Sequence, residues 1–343
     1  VLPLKSGSYN AEQGRGGMPM DDILQVNERL RGLIWGAPML ILLLGTGLYF
    51  TAVTGVFQVR YCALWLRKTL FSCFTGAARR TSGGVSPFAA MCTALAATVG
   101  TGNIAGVATA LTLGGPGAVL WLWVSAFVGM MTAFAENTLG MLYREKGSDG
   151  SWRGGAMLYL KNGLHSPLLA GAFALFCVLA SFGIGNMSQA NSINGSIKGA
   201  VAAFAPDFAD IAAVDWVIGI ALAVLTAGVL FGGIKRIGSV TERLIPFMSI
   251  LYIVFTLIVI FGNISMVGEC FRKIFVAAFD PQAVVGAGSG ILLKNAIVWG
   301  LRRSAFSNEA GLGSAPIAHA AANCEGPVQQ GIFGIFEVFV DTI

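Results

Sequence analysis

Apolar stretches long enough to cross a bilayer recur along the whole chain and leave few alternatives to a helical membrane protein. The hydrocarbon core is about 30 Å thick, so a helix needs about 20 apolar residues to span it. Segments of that length fall at about 33–55, 86–112, 116–142, 166–197, 214–233, 240–262 and 282–301. A last one begins near Pro327 and runs to the end of the chain. Charge is correspondingly scarce, at 11% of 343 residues with a mean hydropathy of +0.73, against about 25% charged in soluble domains. The chain therefore reads as an all-α polytopic membrane protein. Residues 1–32 form a polar tail ending in a short amphipathic helix, 33–55 a lead span, and 56–343 a core of spans one to seven. The 166–197 segment exceeds the bilayer thickness and is expected to tilt.

The connecting loops divide their basic residues unevenly. Loops 56–85, 143–165, 234–243 and 302–326 hold 14 Lys and Arg together, and the opposite side holds 7. Basic residues collect on the cytoplasmic side. The amino terminus is thus expected outside, with span one (86–112) running from inside to outside.

Span one is not uniformly apolar. Thr98-Val-Gly-Thr-Gly-Asn-Ile-Ala-Gly106 falls at its mid-depth. Each glycine costs a helix about 1 kcal/mol relative to alanine, and a backbone group left unpaired in lipid costs several more. Such a break persists only where protein, an ion or a ligand satisfies the freed groups. The half-helix before it, about Pro87 to Ala97, directs carbonyls into the gap and favours a cation. The half-helix after it, from about Asn103, directs N–H groups there and favours an anion. A small zwitterion with a bound cation suits both ends, and Thr98, Thr101 and Asn103 add the hard neutral oxygens that Na+ prefers. The competing reading is a small-xxx-small helix contact through Gly102 and Gly106. Span six, about 282–301, carries its own interruption at Gly286–Gly290 and runs opposite to span one. Two broken antiparallel spans, five apart, mark an inverted five-plus-five repeat.

Other polar residues sit in apolar surroundings. Asn186 and Gln189, three apart in span three, share a helix face and either line a cavity or bond another helix. Glu136, Lys294, Glu337 and Asp341 are ionisable groups within apolar segments, where function is the default reading. A proton relay and a structural Glu136–Lys294 or Glu337–Lys294 pair are both open. His319 is assigned to a cytoplasmic segment outside any relay, and Ser307–Gly313 to a turn on the cytoplasmic face. Two histidines and six scattered cysteines make no metal-ligand spacing. No nucleophile–base pair, phosphate loop or nucleic-acid motif is visible, so neither enzyme chemistry nor a nucleic-acid partner is expected.

Five stretches together resemble the signatures of the alanine or glycine:cation symporter family, the sodium:alanine symporters. They are Ala97–Gly106, Gly114–Gly129, Gly183-Ile-Gly-Asn186 with Gln189, Phe306–Pro316, and Val340-Asp-Thr-Ile343. The likeness covers roughly residues 30–343. It implies a leucine-transporter-like inverted five-plus-five repeat with one extra amino-terminal span, in the amino acid–polyamine–organocation superfamily. It implies import of a small neutral amino acid (alanine or glycine) with Na+, or H+ in some members, by alternating access. No cofactor is implied beyond that coupling ion. The implied location is a bacterial or archaeal plasma membrane. By position in the fold, substrate contacts would fall to Thr98, Thr101, Gly102, Phe182, Asn186, Gln189, Ser289 and Gly290. Na+ contacts would fall to Ala97, Thr98 and Asn103. Two departures stand out. Arg303-Ser304 replaces the family's Arg-Gly, and spans eight to ten of the repeat are absent, so the chain reads as a C-terminally truncated core. An ion or small-solute channel lined by the broken helices is the alternative function.

Overall fold

The computed structural model describes residues 20–71, 85–148, 150–205, 212–280, 293–324 and 326–343. The chain divides into two units, 1–42 and 43–343. Helix α1 (Met20–Ile34) is amphipathic, and α2 (Ala37–Val53) is apolar on all faces and carries the unit boundary.

The second unit is almost entirely helical. Short helices α3 (Phe57–Arg60) and α4 (Cys62–Leu66) lead to the interrupted pair α5 (Pro87–Thr98) and α6 (Val107–Gly114), then to α7 (Ala118–Leu142). A two-stranded antiparallel hairpin, β1 (Glu145–Lys146) with β2 (Trp152–Arg153), separates α7 from α8 (Ala156–Asn162). Next come α9 (Pro167–Phe182), α10 (Ser188–Phe204), α11 (Ala212–Leu230), α12 (Gly233–Gly262) and the amphipathic α13 (Ile264–Ala277). Helices α14 (Leu293–Asn308), α15 (Ala315–His319) and α16 (Pro327–Thr342) complete the described chain. Among the described residues, α7, the α9–α10 stretch, α11 and α12 are long and apolar enough to cross a membrane, as is the Leu24–Val53 stretch. The α5–α6 pair qualifies as a sixth span bent by 49°. Helices α9 to α12 turn apolar side chains outward along most of their length, Phe176, Val224 and Phe255 among them. That is the surface a hydrocarbon solvent requires.

The core is built where α16, α14 and α5 meet α7. In lipid, apolar side chains gain little by leaving the solvent, so helices associate through close van der Waals fit and small residues. Gly331 and Gly334 on α16 meet that need. A Cβ on Gly331 would lie 2.9 Å from the Phe134 carbonyl oxygen, and one on Gly334 would lie 2.9 Å from that of Ala133. Their absence lets the two backbones touch. Met91, Leu95, Met131, Phe333, Ile335 and Phe336 fill the space around this contact.

Helix α5 has a well-defined beginning. Ser86 is extended at the N-cap, and its hydroxyl accepts from the Ala89 N–H at 3.0 Å. Pro87 supplies the first helical residue, where a missing N–H costs nothing. The Pro87 end also meets the loop after α15, where Asn323 N–H donates to the Val85 carbonyl. Arg144, just past α7, donates to the Ala320 and Ala322 carbonyls and stacks over Trp152 at 4.0 Å. Burial lowers the Arg144 pKa below the ordinary arginine value.

Candidate functional site

Helix α5 stops where its sequence turns to glycine. Val99 leaves the helical region with ψ 102°, and the chain re-enters helix through a wide π-type turn at Gly102–Gly106. The freed groups find partners from other helices. Gly100 N–H donates to Asn103 Oδ1 at 2.8 Å, and Thr101 N–H reaches Gln189 Oε1 of α10 at 3.4 Å. The Asn103 amide then donates to the Asp341 backbone carbonyl at 2.7 Å and to Asp341 Oδ1 at 2.9 Å. Asp341 lies in the last turn of α16 and is 8% exposed. Its other carboxylate oxygen accepts from Ser307 Oγ at 2.8 Å and Thr342 Oγ1 at 2.7 Å. Three helices thus converge on one buried carboxylate, which has donors around it but no cationic side chain bonded to it among the described residues.

Helix α14 faces the break in the reverse direction. A Cβ on Gly114 would meet Trp299, one on Gly106 would meet Arg303, and one on Gly102 would meet Ser307 and Phe306. The sequence numbers rise along α14 as they fall along span one, so the two run antiparallel. Arg303 is held over the rings of Trp299 and Phe306, 5.9 and 5.6 Å away. Ser304 is fully buried and accepts from Asn308 Nδ2 at 3.1 Å. The hydroxyl that departs from the family's glycine is therefore absorbed by a hydrogen bond.

The Ser307–Gly313 stretch is a correction to the sequence reading. It is not a turn on a membrane face but an interruption between α14 and α15, packed against the middle of α7. Glu309, Gly311 and Gly313 all have left-handed φ, of 52°, 91° and 76°. Glu136 of α7 accepts from Gly311 N–H at 2.9 Å, Asn308 Oδ1 accepts from Ala310 N–H at 3.1 Å, and Ser314 donates to Glu309. A polar, glycine-rich sequence resembles a surface loop, but here protein side chains supply the partners that water would give. Arg302 and Arg303 consequently belong to α14 and not to a loop, leaving 12 of the 14 basic residues on that side.

The sequence-derived site residues separate into three groups. Thr98, Thr101, Gly102, Asn103 and Gln189 gather at the break; Thr98 is buried and its hydroxyl donates to Leu95 O at 3.4 Å. Ala97, Phe182 and Asn186 lie exposed. Asn186 sits in a second wide turn, Gly183–Met187, and is exposed, whereas Gln189 is half-buried against the break. Ser289 and Gly290, with the whole Gly286–Gly290 interruption, lie outside the described residues. The charge pairs also resolve differently. Glu337 pairs with His319 at 3.0 Å, Glu136 holds the Gly311 N–H, and Lys294 is exposed. His319 is itself fully buried rather than part of a surface segment. Asp341, Ser307 and Asn308 carry more of the site than the sequence assigned to them; the available signal was an acidic residue in an apolar segment.

Comparisons with known proteins place the sequence in a family. The model of the sodium:alanine symporter family matches residues 20–343. A sodium/alanine symporter (AgcS) of Methanococcus maripaludis is 44% identical over 329 residues, 94% of this chain and 68% of that protein. An uncharacterized transporter of Haemophilus influenzae is 44% identical over 327 residues, 95% of this chain and 68% of its own. A probable sodium/glutamine symporter (GlnT) of Bacillus subtilis is 37% identical over 312 residues, 91% of this chain and 61% of its own. The chain thus spans about two thirds of the length of these relatives. Family and relatives together indicate sodium-coupled amino-acid symport. The chain belongs to the sodium:alanine symporter family, a family of transporters and not of enzymes.

Proposed function

We propose that the chain binds a small neutral amino acid, alanine or glycine, together with Na+, and carries both across the plasma membrane by alternating access. The observation that carries this reading is the Asn103–Asp341–Ser307 cluster at the point where span one is interrupted. A buried carboxylate surrounded by hydroxyl and amide groups needs a positive partner, because an isolated buried charge is costly. Na+ and the ammonium of an amino acid are both suitable. The donor set is all oxygen and uncharged apart from Asp341, which suits Na+ better than a softer metal. Ala97 and Thr98 would offer carbonyl and hydroxyl oxygens from the end of α5, and Asn103 an amide at the start of the next segment. Thr101 and Gly102 would present N–H groups to the substrate carboxylate, with Phe182, Asn186, Gln189, Ser289 and Gly290 completing the pocket. The antiparallel placement of the broken α5–α6 pair and α14, which carries the end of span six, supports a leucine-transporter-like inverted repeat. The basic bias supports an outside amino terminus.

Alanine is favoured over glutamine by the relative of higher identity. The test is uptake of labelled alanine by the chain in liposomes under an inward Na+ gradient, with glycine and glutamine as competitors. Uptake should require the gradient and yield to glycine before glutamine. Equal uptake with choline in place of Na+ would overturn the reading.

A further inference from the structure

A second polar cluster lies at the Pro87 end of the bundle, away from the Asp341 site. Gln330, Gly334, Glu337 and Asp341 follow one another along α16 at spacings of four, three and four, which place them on one helix face. His319, Gln330 and Glu337 are each 0–1% exposed. His319 Nε2 lies 3.0 Å from Glu337 Oε2 and Nδ1 lies 2.6 Å from Gln330 Nε2, which donates to the Pro87 carbonyl at 3.3 Å. An amide nitrogen cannot accept, so with this amide placement Nδ1 is the acceptor and Nε2 is the ring nitrogen that donates to Glu337. Gln330 Oε1 and Glu337 Oε1 have no hydrogen-bond partner among the described residues, and neither has any side-chain atom of Asn137, which faces Gly334. Leaving buried polar atoms unpaired is costly. So many on one interface point to a site that holds something more in another state.

The surrounding charges are acidic. Glu136 of α7 and Glu309 of the α14–α15 interruption both act electrostatically on Glu337, and Asp341 lies one turn further along α16. Helix α5 brings no charged side chain. Arg144 is tied to the carbonyls beyond α15. Arg67 and Lys68, on the turn packed against α16, are exposed. No group of three or more His, Cys, Asp or Glu among the described residues has metal-binding geometry. A proton is the cation this site can take, on Nδ1 once the Gln330 amide turns its oxygen toward the ring.

We propose that His319 Nδ1 is a proton-binding site whose occupation turns the Gln330 amide and releases its hold on the inner end of span one. The added proton forms an Nδ1–H bond. Gln330 Nε2 then faces a donor, so the amide must rotate to offer Oε1 as acceptor, which moves its N–H groups off the Pro87 carbonyl. The resulting imidazolium keeps its Nε2–H bond to Glu337 as a charge-assisted pair. The two states therefore differ by one proton on the ring and one tie between α16 and α5. Only the relevance to transport rests on the symport reading; the site itself rests on the geometry.

The chain has two histidines, so a His165→Asn variant leaves His319 alone; His165 is exposed with a left-handed φ of 54° that asparagine tolerates. Ring 15N NMR of that variant in nanodiscs should show a neutral ring protonated at Nε2 converting reversibly to imidazolium as pH falls. Hydrogen exchange in the first turn of α5, corrected for its intrinsic pH dependence, should accelerate about threefold to tenfold over the same interval. In Gln330→Met that exchange should be fast throughout. A ring that keeps one protonation state while the protein stays folded overturns the proposal, as does titration that leaves α5 exchange unchanged. Neither arm measures transport, so failure here is separate from failure of Na+-driven uptake.

Discussion

Asp341→Ala should weaken Na+-dependent alanine binding by about 100-fold or more, measured by equilibrium binding of labelled alanine to the purified protein. The side chain accepts from Asn103, Ser307 and Thr342. Hydrogen bonds to a charged group contribute about 1.5–3 kcal/mol each, and losing two of them already corresponds to that factor. Alanine at this position also removes the negative charge and frees Asn103, which organises the Gly100 N–H. Asp341→Asn separates the two roles. It keeps the volume and some of the hydrogen bonds but not the charge, so the protein should remain folded while the Na+ dependence of binding flattens. Retention of full Na+-dependent binding by either variant would remove Asp341 from the site.

Gly102 offers the second large effect, graded by side-chain size. A Cβ there would meet Ser307 and Phe306 at 3.6–3.7 Å, which is ordinary contact. Gly102→Ala is expected to bind alanine within about threefold of the parent, since a methyl fits without displacing α14. Gly102→Leu must push α14 away from the break and take Ser307 off Asp341; overpacking of this kind costs about 1–3 kcal/mol. Binding should fall about fivefold to 150-fold in that variant. Equal binding by the leucine and alanine variants would show that the break does not need the close approach of α14.

How much of this was visible in the sequence depends on what each residue's partner is. The interruption of span one was legible because glycine and threonine at mid-depth conflict with helix and lipid alike, whatever packs against them. Asp341 was legible only as a charge in an apolar segment; its partners Asn103 and Ser307 lie 238 and 34 residues away in sequence, and only the fold brings them together. Ser307–Gly313 misled because composition cannot distinguish a loop bathed in water from one whose N–H groups are met by Glu136 and Asn308. His319 misled for a related reason, since one histidine in a polar stretch gives no sign of burial. The Asn186–Gln189 face was drawn for an α-helix, and the wide turn at Gly183–Met187 alters that periodicity. The apolar spans needed no such partner information: 86–112, 116–142 and 214–233 agree with the helices to within about three residues, while 166–197 and 240–262 each differ at one end by about seven.

Coupling means that Na+ and amino acid each tighten the other's binding by the same factor. The most direct measurement is therefore labelled-alanine affinity across a Na+ titration at constant ionic strength, with choline as the replacement cation. The Asn103–Asp341–Ser307 site predicts an affinity that rises steeply with Na+ in the parent and stays flat in Asp341→Asn. Alanine binding of equal affinity in choline and in Na+ would contradict it.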